Sequence, residues 1–293
     1  RKIDYKMNEN DTGKTVEGFL KERGYTHQVL VRLKQTDHGI LRNGIWAYTN
    51  ERLCKDDLIT VQIVENECSD NIAPVNLPLD IAYEDDDIIV INKPFDMPAH
   101  PSAGNHDNTL ANALMYYYGS QNKPFVYRCI NRLDRDTTGL TIVAKHALAG
   151  GILGNAVAKR AIHRTYYAVC SGCTPACMRI SAPIARKDAS TIERCVDFKR
   201  GENAVTDFIR IKYNPDNNLS LVKLRLLTGR THQIRVHMTY IGFPLIGDFL
   251  YNPDYTYISR QALHSGRLVF THPVTGQKMN LISDIPSDMK SLF

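Results

Sequence analysis

Two runs of residues, "AVTDFIRIKY" and "LSLVKLRLL", flank the turn-forming segment "NPDNN" at positions 214–218. In the second run Val222, Leu224 and Leu226 alternate with Lys223 and Arg225. This period of two is typical of a β-strand with one buried face. Two such runs around a polar turn predict an antiparallel hairpin. The chain must therefore build a sheet and an apolar layer that covers one face of this hairpin.

Single helices alternate with further strands along the rest of the chain. A helix with Val16, Phe19 and Leu20 on one face is expected to end at Gly24, and "TGRTHQIRVHMTYIG" predicts another that ends at Gly242. We also expect a helix at "NTLANALMYYYG" and strands at "YEDDDIIVINKP", "LTIVAK" and "RTYYAVCSG". Hairpins mixed with single helices predict an α+β fold with a largely antiparallel mixed β-sheet flanked by helices.

The segment "NIAPVNLPLD", with Pro74 and Pro78, interrupts the periodic pattern. We interpret residues 73–80 as a linker between a small α/β unit at residues 1–72 and a large domain at residues 81–293. A unit of about 70 residues has only a marginal core of its own.

Charge is unevenly distributed along the 293 residues. Residues 1–75 hold 11 Lys and Arg against 12 Asp and Glu, whereas the remainder holds 25 against 19. The basic excess of the large domain is compatible with nucleic-acid binding.

The sequence contains no apolar run of about 20 residues, and its seven cysteines are an odd number, which favours reduced thiols. We therefore expect a cytoplasmic protein that does not enter a membrane and acts as a monomer.

The stretch "INRLDRDTTGL" places Asp134 between Arg132 and Arg135. Most such clusters are solvated surface ion pairs. The alternative is a catalytic carboxylate held beside cations. In an extended loop Arg135 points away from Asp134, so a partner from elsewhere is needed, and Arg235 is our candidate because it shares a helix face with His232 and Thr239.

Cysteines and histidines allow a competing metal hypothesis. "CSGCTPAC" spaces Cys170, Cys173 and Cys177 like metal ligands, with Cys195 as a conceivable fourth. No second cysteine or histidine pair supports this cluster, and no carboxylate at helical spacing accompanies the histidines at 232, 237, 264 and 272. We expect structural histidines and no metal site. The sequence also has no P-loop and no G-x-S-x-G motif.

Four ordered motifs resemble those of the RluA-type RNA pseudouridine synthases. They are "DDDIIVINKPFDMPAHPS", "NRLDRDTTGLTIVAK", "RTYYAVCSG" and "LLTGRTHQIRVHMTYIGFPLIGD", followed by a closing "LHSGRLVFTHPVTGQ". Together they cover about residues 80 to 285. Residues 1–70 resemble a degenerate form of a small RNA-binding domain that is shared with a small-subunit ribosomal protein.

The resemblance implies a cytoplasmic, bacterial-type isomerase that converts uridine to pseudouridine in structured RNA, either rRNA or tRNA, without a cofactor. It implies that Asp134 is the catalytic aspartate, that Tyr166 stacks on the target base, and that Arg235 pairs with Asp134. Arg132 matches the arginine that replaces the flipped nucleotide in the RNA helix. Arg135, Arg230 and His232 are further candidates for RNA contacts.

Two positions depart from the family pattern. Asn131 stands where His is most common, and Thr138 stands where Ser is usual. Both residues can hydrogen-bond a loop, so we expect altered detail and retained activity. Two alternatives stay open at this point. They are a non-catalytic RNA-binding protein with the same fold, and a metal-dependent phosphoesterase that uses the histidines.

Overall fold

The computed structural model describes residues 1–188 and 192–293. The first 62 residues form a four-stranded antiparallel sheet, in the order β1-β4-β2-β3, and two helices. Its elements are β1 (Lys2–Lys6), α1 (Val16–Glu22), α2 (His27–Gln35), β2 (Ile40–Arg42), β3 (Ile45–Trp46) and β4 (Leu58–Gln62). Thr15 and Thr26 cap the two helices by accepting backbone N–H hydrogen bonds. The helix predicted from Val16, Phe19 and Leu20 is confirmed, whereas β1 and α2 were not predicted.

A ten-stranded sheet dominates the rest of the chain. The elements of this part of the chain are β5 (Ile81–Glu84), β6 (Ile88–Lys93), α3 (Leu110–Gly119), β7 (Arg128–Cys129), β8 (Thr138–Ala144), α4 (Ala147–Ala158), β9 (His163–Ser171), β10 (Cys177–Ser181), β11 (Ile184–Arg186), β12 (Arg194–Val196), β13 (Val205–Asn214), β14 (Leu219–Leu226), α5 (Gln233–Tyr240), β15 (Leu263–Thr271), β16 (Lys278–Ile282) and α6 (Ser287–Lys290). The strands β11 and β12 form a separate two-stranded hairpin.

The sheet order is β10-β13-β14-β9-β15-β8-β6-β5, with β16 beside β15 and β7 beside β8. Within the described ranges β15 and β8 form a parallel pair, and the other strand pairs are antiparallel. The predicted α+β fold with a largely antiparallel mixed sheet is therefore confirmed. The predicted hairpin is β13 and β14, with Val222 and Leu224 buried and Lys223 and Arg225 exposed.

The segment predicted as one strand at "YEDDDIIVINKP" is instead two strands, so that prediction was wrong in detail. Asp85 turns the chain because its side chain accepts hydrogen bonds from the backbone N–H groups of Asp87 and Ile88.

In the helix α3, the side chain of Tyr117 is only partly buried and donates a hydrogen bond to Glu84, while the side chain of Tyr118 is buried in the core.

The small N-terminal unit packs on α4 of the larger part. Its apolar core, which includes Phe19, Leu20 and Leu30, also contains Leu148 of α4. Gly151 of α4 lies so close to Thr26 that an added Cβ would meet the threonine methyl group at 3.0 Å. The glycines that weaken α4 as an isolated helix thus allow the two parts to approach closely.

The segment between the two parts is tied to α3. The backbone N–H of Val75 donates to the carbonyl of Asn112, and the Asn112 side chain donates to the carbonyl of Ala73. The division into residues 1–72, a linker at 73–80 and residues 81–293 stays a prediction. Among the described helices the longest is α4 with 12 residues, well short of the ~20 that a bilayer span needs.

Candidate active site

Asp134 lies on the loop between β7 and β8, and its side chain is 29% exposed. The loop ends where β8 begins beside β15, at Gly139 with φ +107°. A Cβ at this glycine would lie 2.3 Å from the carbonyl oxygen of Ser265. Only glycine permits this backbone approach, which explains the glycine in the "TTGL" sequence after the loop.

Asn131 fixes the start of the same loop from a buried position. Its Oδ1 accepts the backbone N–H of Ile142 at 2.8 Å, and its Nδ2 donates to the carbonyl of Leu140 at 3.2 Å. Thr138, at the other end, has its Oγ1 2.9 Å from Nδ1 of His264. Both departures from the family pattern therefore sit in hydrogen bonds that hold the loop, as expected for residues that affect its detail.

Lys93 hydrogen-bonds the loop that carries Asp134, a contact that was not predicted from the sequence. Its buried Nζ donates to the carbonyls of Pro94 at 2.7 Å and Arg135 at 2.8 Å. Burial lowers the pKa of Lys93 to about 7, although the nearby charges of Asp136 and Asp134 oppose the shift. The "NKP" sequence contained the residue, but nothing in its spacing indicates burial.

Arg235 reaches Asp134 from α5, as the sequence analysis expected. Its Nη1 donates to Oδ2 of Asp134 at 3.0 Å. Although its guanidinium group is positively charged, Arg235 is only 1% exposed. The remaining donors Nε and Nη2 form two 2.7 Å hydrogen bonds to the buried carboxylate of Asp248. Such a bidentate pair fixes both the position and the plane of the guanidinium.

Asp248 and two aromatic rings complete the surroundings of Arg235. Its guanidinium carbon lies 5.3 Å from the ring centroid of Phe249 and 5.1 Å from that of Tyr251. Burial lowers the pKa of Arg235, but hydrogen bonds to Asp248 and the charges of Asp134 and Asp248 outweigh it and raise the pKa above its ordinary value. Asp248 ends the quoted "GFPLIGD" sequence, and its acidic side chain after an apolar run was the signal that could have identified it.

His232 precedes α5 in a left-handed conformation, with φ 56°. Its Nδ1 lies 3.0 Å from the hydroxyl of Tyr251, and its Nε2 lies 3.9 Å from Oδ2 of Asp134. Burial lowers the pKa of His232; the charge of Asp134 opposes this shift and that of Arg235 adds to it. The structure therefore places this residue beside the carboxylate.

Tyr166 lies on β9 and is 4% exposed. It lines a small cavity of about 90 Å³ together with Asp134, Arg235 and Leu263. Its hydroxyl has no hydrogen-bond partner among residues 1–188 and 192–293. The three residues expected to be catalytic are thus brought to one cavity.

This cavity opens into a groove of about 920 Å³ whose walls are rich in arginine. Arg132, Arg160, Arg164 and Arg225 line the groove, and none of them has an ion pair within the part of the chain that the structure describes. Asp134 is the acidic residue in the described lining. Of the predicted RNA contacts, Arg132 is exposed in this groove.

Arg135 and Arg230 differ from these arginines because both have carboxylate partners. Arg135 forms two 3.1 Å hydrogen bonds to Asp136, and Arg230 forms an ion pair with Glu202. Any phosphate contact from either residue must compete with these pairs. The adjacent positions of Arg135 and Asp136 in the sequence could have indicated this ion pair.

The histidines and cysteines do not assemble a shared site. His237 bonds Thr206 and the carbonyl of Ala182, and His264 bonds Thr138, so these histidines have structural partners. Within the described residues, the group with metal-like proximity is Asp85, Asp87 and His272, and it includes no cysteine. It does not line the groove that contains Asp134.

Comparisons with known proteins show the family to which the chain belongs. The family model for RNA pseudouridylate synthase matches residues 87–240. An uncharacterized RNA pseudouridine synthase of Bacillus subtilis, YjbO, is 38% identical over 95% of this chain and 98% of its own length. The ribosomal large subunit pseudouridine synthase D of Haemophilus influenzae is 41% identical over 79% of this chain and 75% of its own.

A solved structure gives the same result for the fold. Human RNA pseudouridylate synthase domain containing 1 superposes with a TM-score of 0.60 and 26% identity, over 71% of this chain and 83% of its own. No finding favours the non-catalytic alternative. The expected RNA pseudouridine synthase is confirmed, and the chain belongs to the RNA pseudouridylate synthase family of isomerases.

Proposed function

We propose that this protein converts a uridine of large-subunit ribosomal RNA into pseudouridine, with Asp134 as the catalytic carboxylate. The observation that carries the proposal is the contact between Asp134 and the buried Arg235, at a cavity that opens into an arginine-lined groove. Relatives that are named for the large ribosomal subunit favour rRNA over tRNA.

The reaction breaks the bond from C1′ to N1 and forms a bond from C1′ to C5. C5 loses a proton and N1 gains one, so the composition of the nucleotide does not change and no oxidant is needed. Asp134 attacks the sugar or the base, or removes a sugar proton. Tyr166 stacks on the uracil, and its hydroxyl assists removal of the C5 proton. The cavity separates the freed uracil from bulk water.

The target uridine must leave its base stack to enter this cavity. Extrusion of a base costs a few kcal/mol, which phosphate contacts elsewhere can offset. In our proposal Arg132 takes the place of the extruded nucleotide, while Arg164 and its neighbours contact phosphates. Arg135, Arg230 and His232 have auxiliary roles because each already has a partner.

We further propose that the protein works in the cytoplasm as a monomer. Seven cysteines without a disulfide suit a reducing compartment. Division of the chain at residues 73–80 into an N-terminal unit and a catalytic domain also belongs to this proposal.

Mapping of pseudouridines in cells with and without the protein tests the proposed function. We expect at least one position in large-subunit rRNA to lose its pseudouridine in the deletion strain and to regain it with the wild-type gene, but not with Asp134→Asn. Unchanged rRNA, or a change confined to tRNA, would contradict the proposed substrate.

A further inference from the structure

The hairpin of β11 and β12 carries two arginines directly opposite each other. Arg186 on β11 pairs in register with Arg194 on β12. Side chains at such positions start about 5 Å apart, and like charges there destabilise a sheet. The chain retains this unfavourable pair on a two-stranded hairpin in which Arg186 is exposed and Arg194 is partly buried.

Neighbouring arginines on the same surface are neutralised, which sets this pair apart. Arg200 is held by Asp188 and Asp197, and Arg230 pairs with Glu202. In contrast, neither Arg186 nor Arg194 has a carboxylate partner among the described side chains. The side-chain Nη1 of Arg194 donates to the backbone carbonyls of residues 192 and 193. Two positive charges therefore lack a counter-ion from the described protein.

The pair faces a depression that adjoins the groove of Asp134. This depression has a volume of about 510 Å³ and shares Gly229 and Thr231 with the groove. Its charged lining residues are Arg186, Arg194, Arg200, Arg230 and Glu202, and Glu202 is already paired with Arg230. A ligand in the depression would thus be continuous with a ligand in the groove.

Hydrogen bonds fix the hairpin relative to the active site. The backbone N–H of Arg194 donates to the hydroxyl of Tyr251 at 2.9 Å, and this hydroxyl lies 3.0 Å from Nδ1 of His232. His232 in turn borders Asp134. A group that binds beside Arg194 is therefore held at a defined position relative to the catalytic carboxylate.

We propose that Arg186 and Arg194 bind a backbone phosphate of the substrate RNA that flanks the target uridine. Two guanidinium groups and an adjacent concave surface suit a phosphodiester, which relieves their mutual repulsion. The proposal rests on the proposed RNA pseudouridine synthase function and extends it by assigning a phosphate site outside the catalytic cavity.

The test uses unmodified large-subunit rRNA transcribed in vitro and the double variant Arg186→Gln/Arg194→Gln. We expect KM to rise about tenfold with kcat within about twofold, and the slope of log Kd against log salt to fall in magnitude by about 1.4. Arg186→Lys/Arg194→Lys should restore the slope because it keeps both charges. Arg267→Gln/Lys278→Gln is the matched control, since it removes two exposed charges outside the groove lining.

The possible failures are distinguishable. If the wild-type protein forms pseudouridine and the double glutamine variant keeps the KM and salt slope of the control, the phosphate site is wrong while the function stands. If the wild-type protein forms no pseudouridine in this RNA, the proposed function itself fails. An equal loss in the control variant would also overturn the site, because the effect would then reflect net charge alone.

Discussion

Two regions of the groove hold arginine in opposite states. We call the cavity of Asp134, Tyr166 and Arg235 the floor, and the surrounding arginine-rich lining the walls. On the floor, Arg235 is buried, bound by Asp248 at two points and directed at Asp134. On the walls, Arg160 and Arg225 have no ion pair among the described residues, and neither lines the cavity of Asp134. Fixed charges favour chemistry because they need no rearrangement during the reaction. Unpaired charges can adapt to a polyanion, so we propose that the floor serves catalysis and the walls serve binding.

The largest expected effect concerns the floor. Asp134→Asn should lower the rate of pseudouridine formation at least about 10⁴-fold because it removes the reacting carboxylate. RNA affinity should stay within about tenfold, since this carboxylate is not a phosphate contact. Single-turnover assays and RNA titrations measure the two effects separately. A parallel collapse of affinity would assign Asp134 a structural role.

Asp248→Asn should have the next largest effect. It leaves the buried guanidinium of Arg235 without its bidentate partner, which we expect to cost about 3 kcal/mol of unfolding free energy. Misplacement of Arg235 should also lower kcat about 100-fold. Asp207→Asn is the matched control because Asp207 forms a bidentate pair with the exposed Arg179. Urea unfolding should show a loss of under about 1 kcal/mol for that variant, and equal losses would contradict a special role for Asp248.

Lys93 allows a pH-dependent test of the floor. Its pKa of about 7 in the folded protein lies below the ordinary value of 10.5, so the unfolded chain binds more protons between these pH values. This difference makes the wild-type protein gain stability as pH rises from about 7 to 10, by up to about 1.4 kcal/mol per pH unit. Lys93→Met should lack that gain, and the exposed Lys278→Met should keep it. Equal pH slopes for unfolding of wild type and Lys93→Met would refute the burial argument.

The smallest expected effect concerns the walls. Arg160→Gln should weaken RNA binding about three- to tenfold and lower the salt slope by about 0.7, with kcat within about twofold, because Arg160 lines the groove and not the cavity of Asp134. Arg267→Gln, which removes an exposed charge outside the groove lining, should leave both quantities unchanged. A fall in kcat without a change in affinity would assign Arg160 to the catalytic floor and contradict this prediction.

Periodicity and motif order predicted much of this molecule, and tertiary burial accounts for most of what they missed. The hairpin of β13 and β14 follows from alternation, which depends only on neighbouring residues. The contact of Asp134 with Arg235 joins positions 101 apart. The polar helix face made Arg235 a candidate partner, and the family resemblance implied the same pair. Asp248 and Lys93 were missed because a charge becomes buried only through contacts with distant elements.

The prediction of local structure failed at some positions for a related reason. The turn at Asp85 was missed because its side chain replaces a backbone acceptor within an apolar stretch. The unpaired state of Arg164 could not be predicted either, since it depends on which carboxylates the fold brings near. Sequence patterns thus predict most elements and suggest candidate reacting groups, whereas charge pairing requires the folded chain.

The salt dependence of a single reaction tests the separation of floor and walls most directly. Single-turnover rates at saturating rRNA and equilibrium Kd values would be measured on the wild-type protein between about 50 and 200 mM KCl. Four unpaired wall arginines predict that Kd rises at least about 50-fold over this range, while the rate constant stays within about twofold. A rate constant that falls in proportion to affinity would contradict the account, because chemistry and binding would then depend on the same exposed charges.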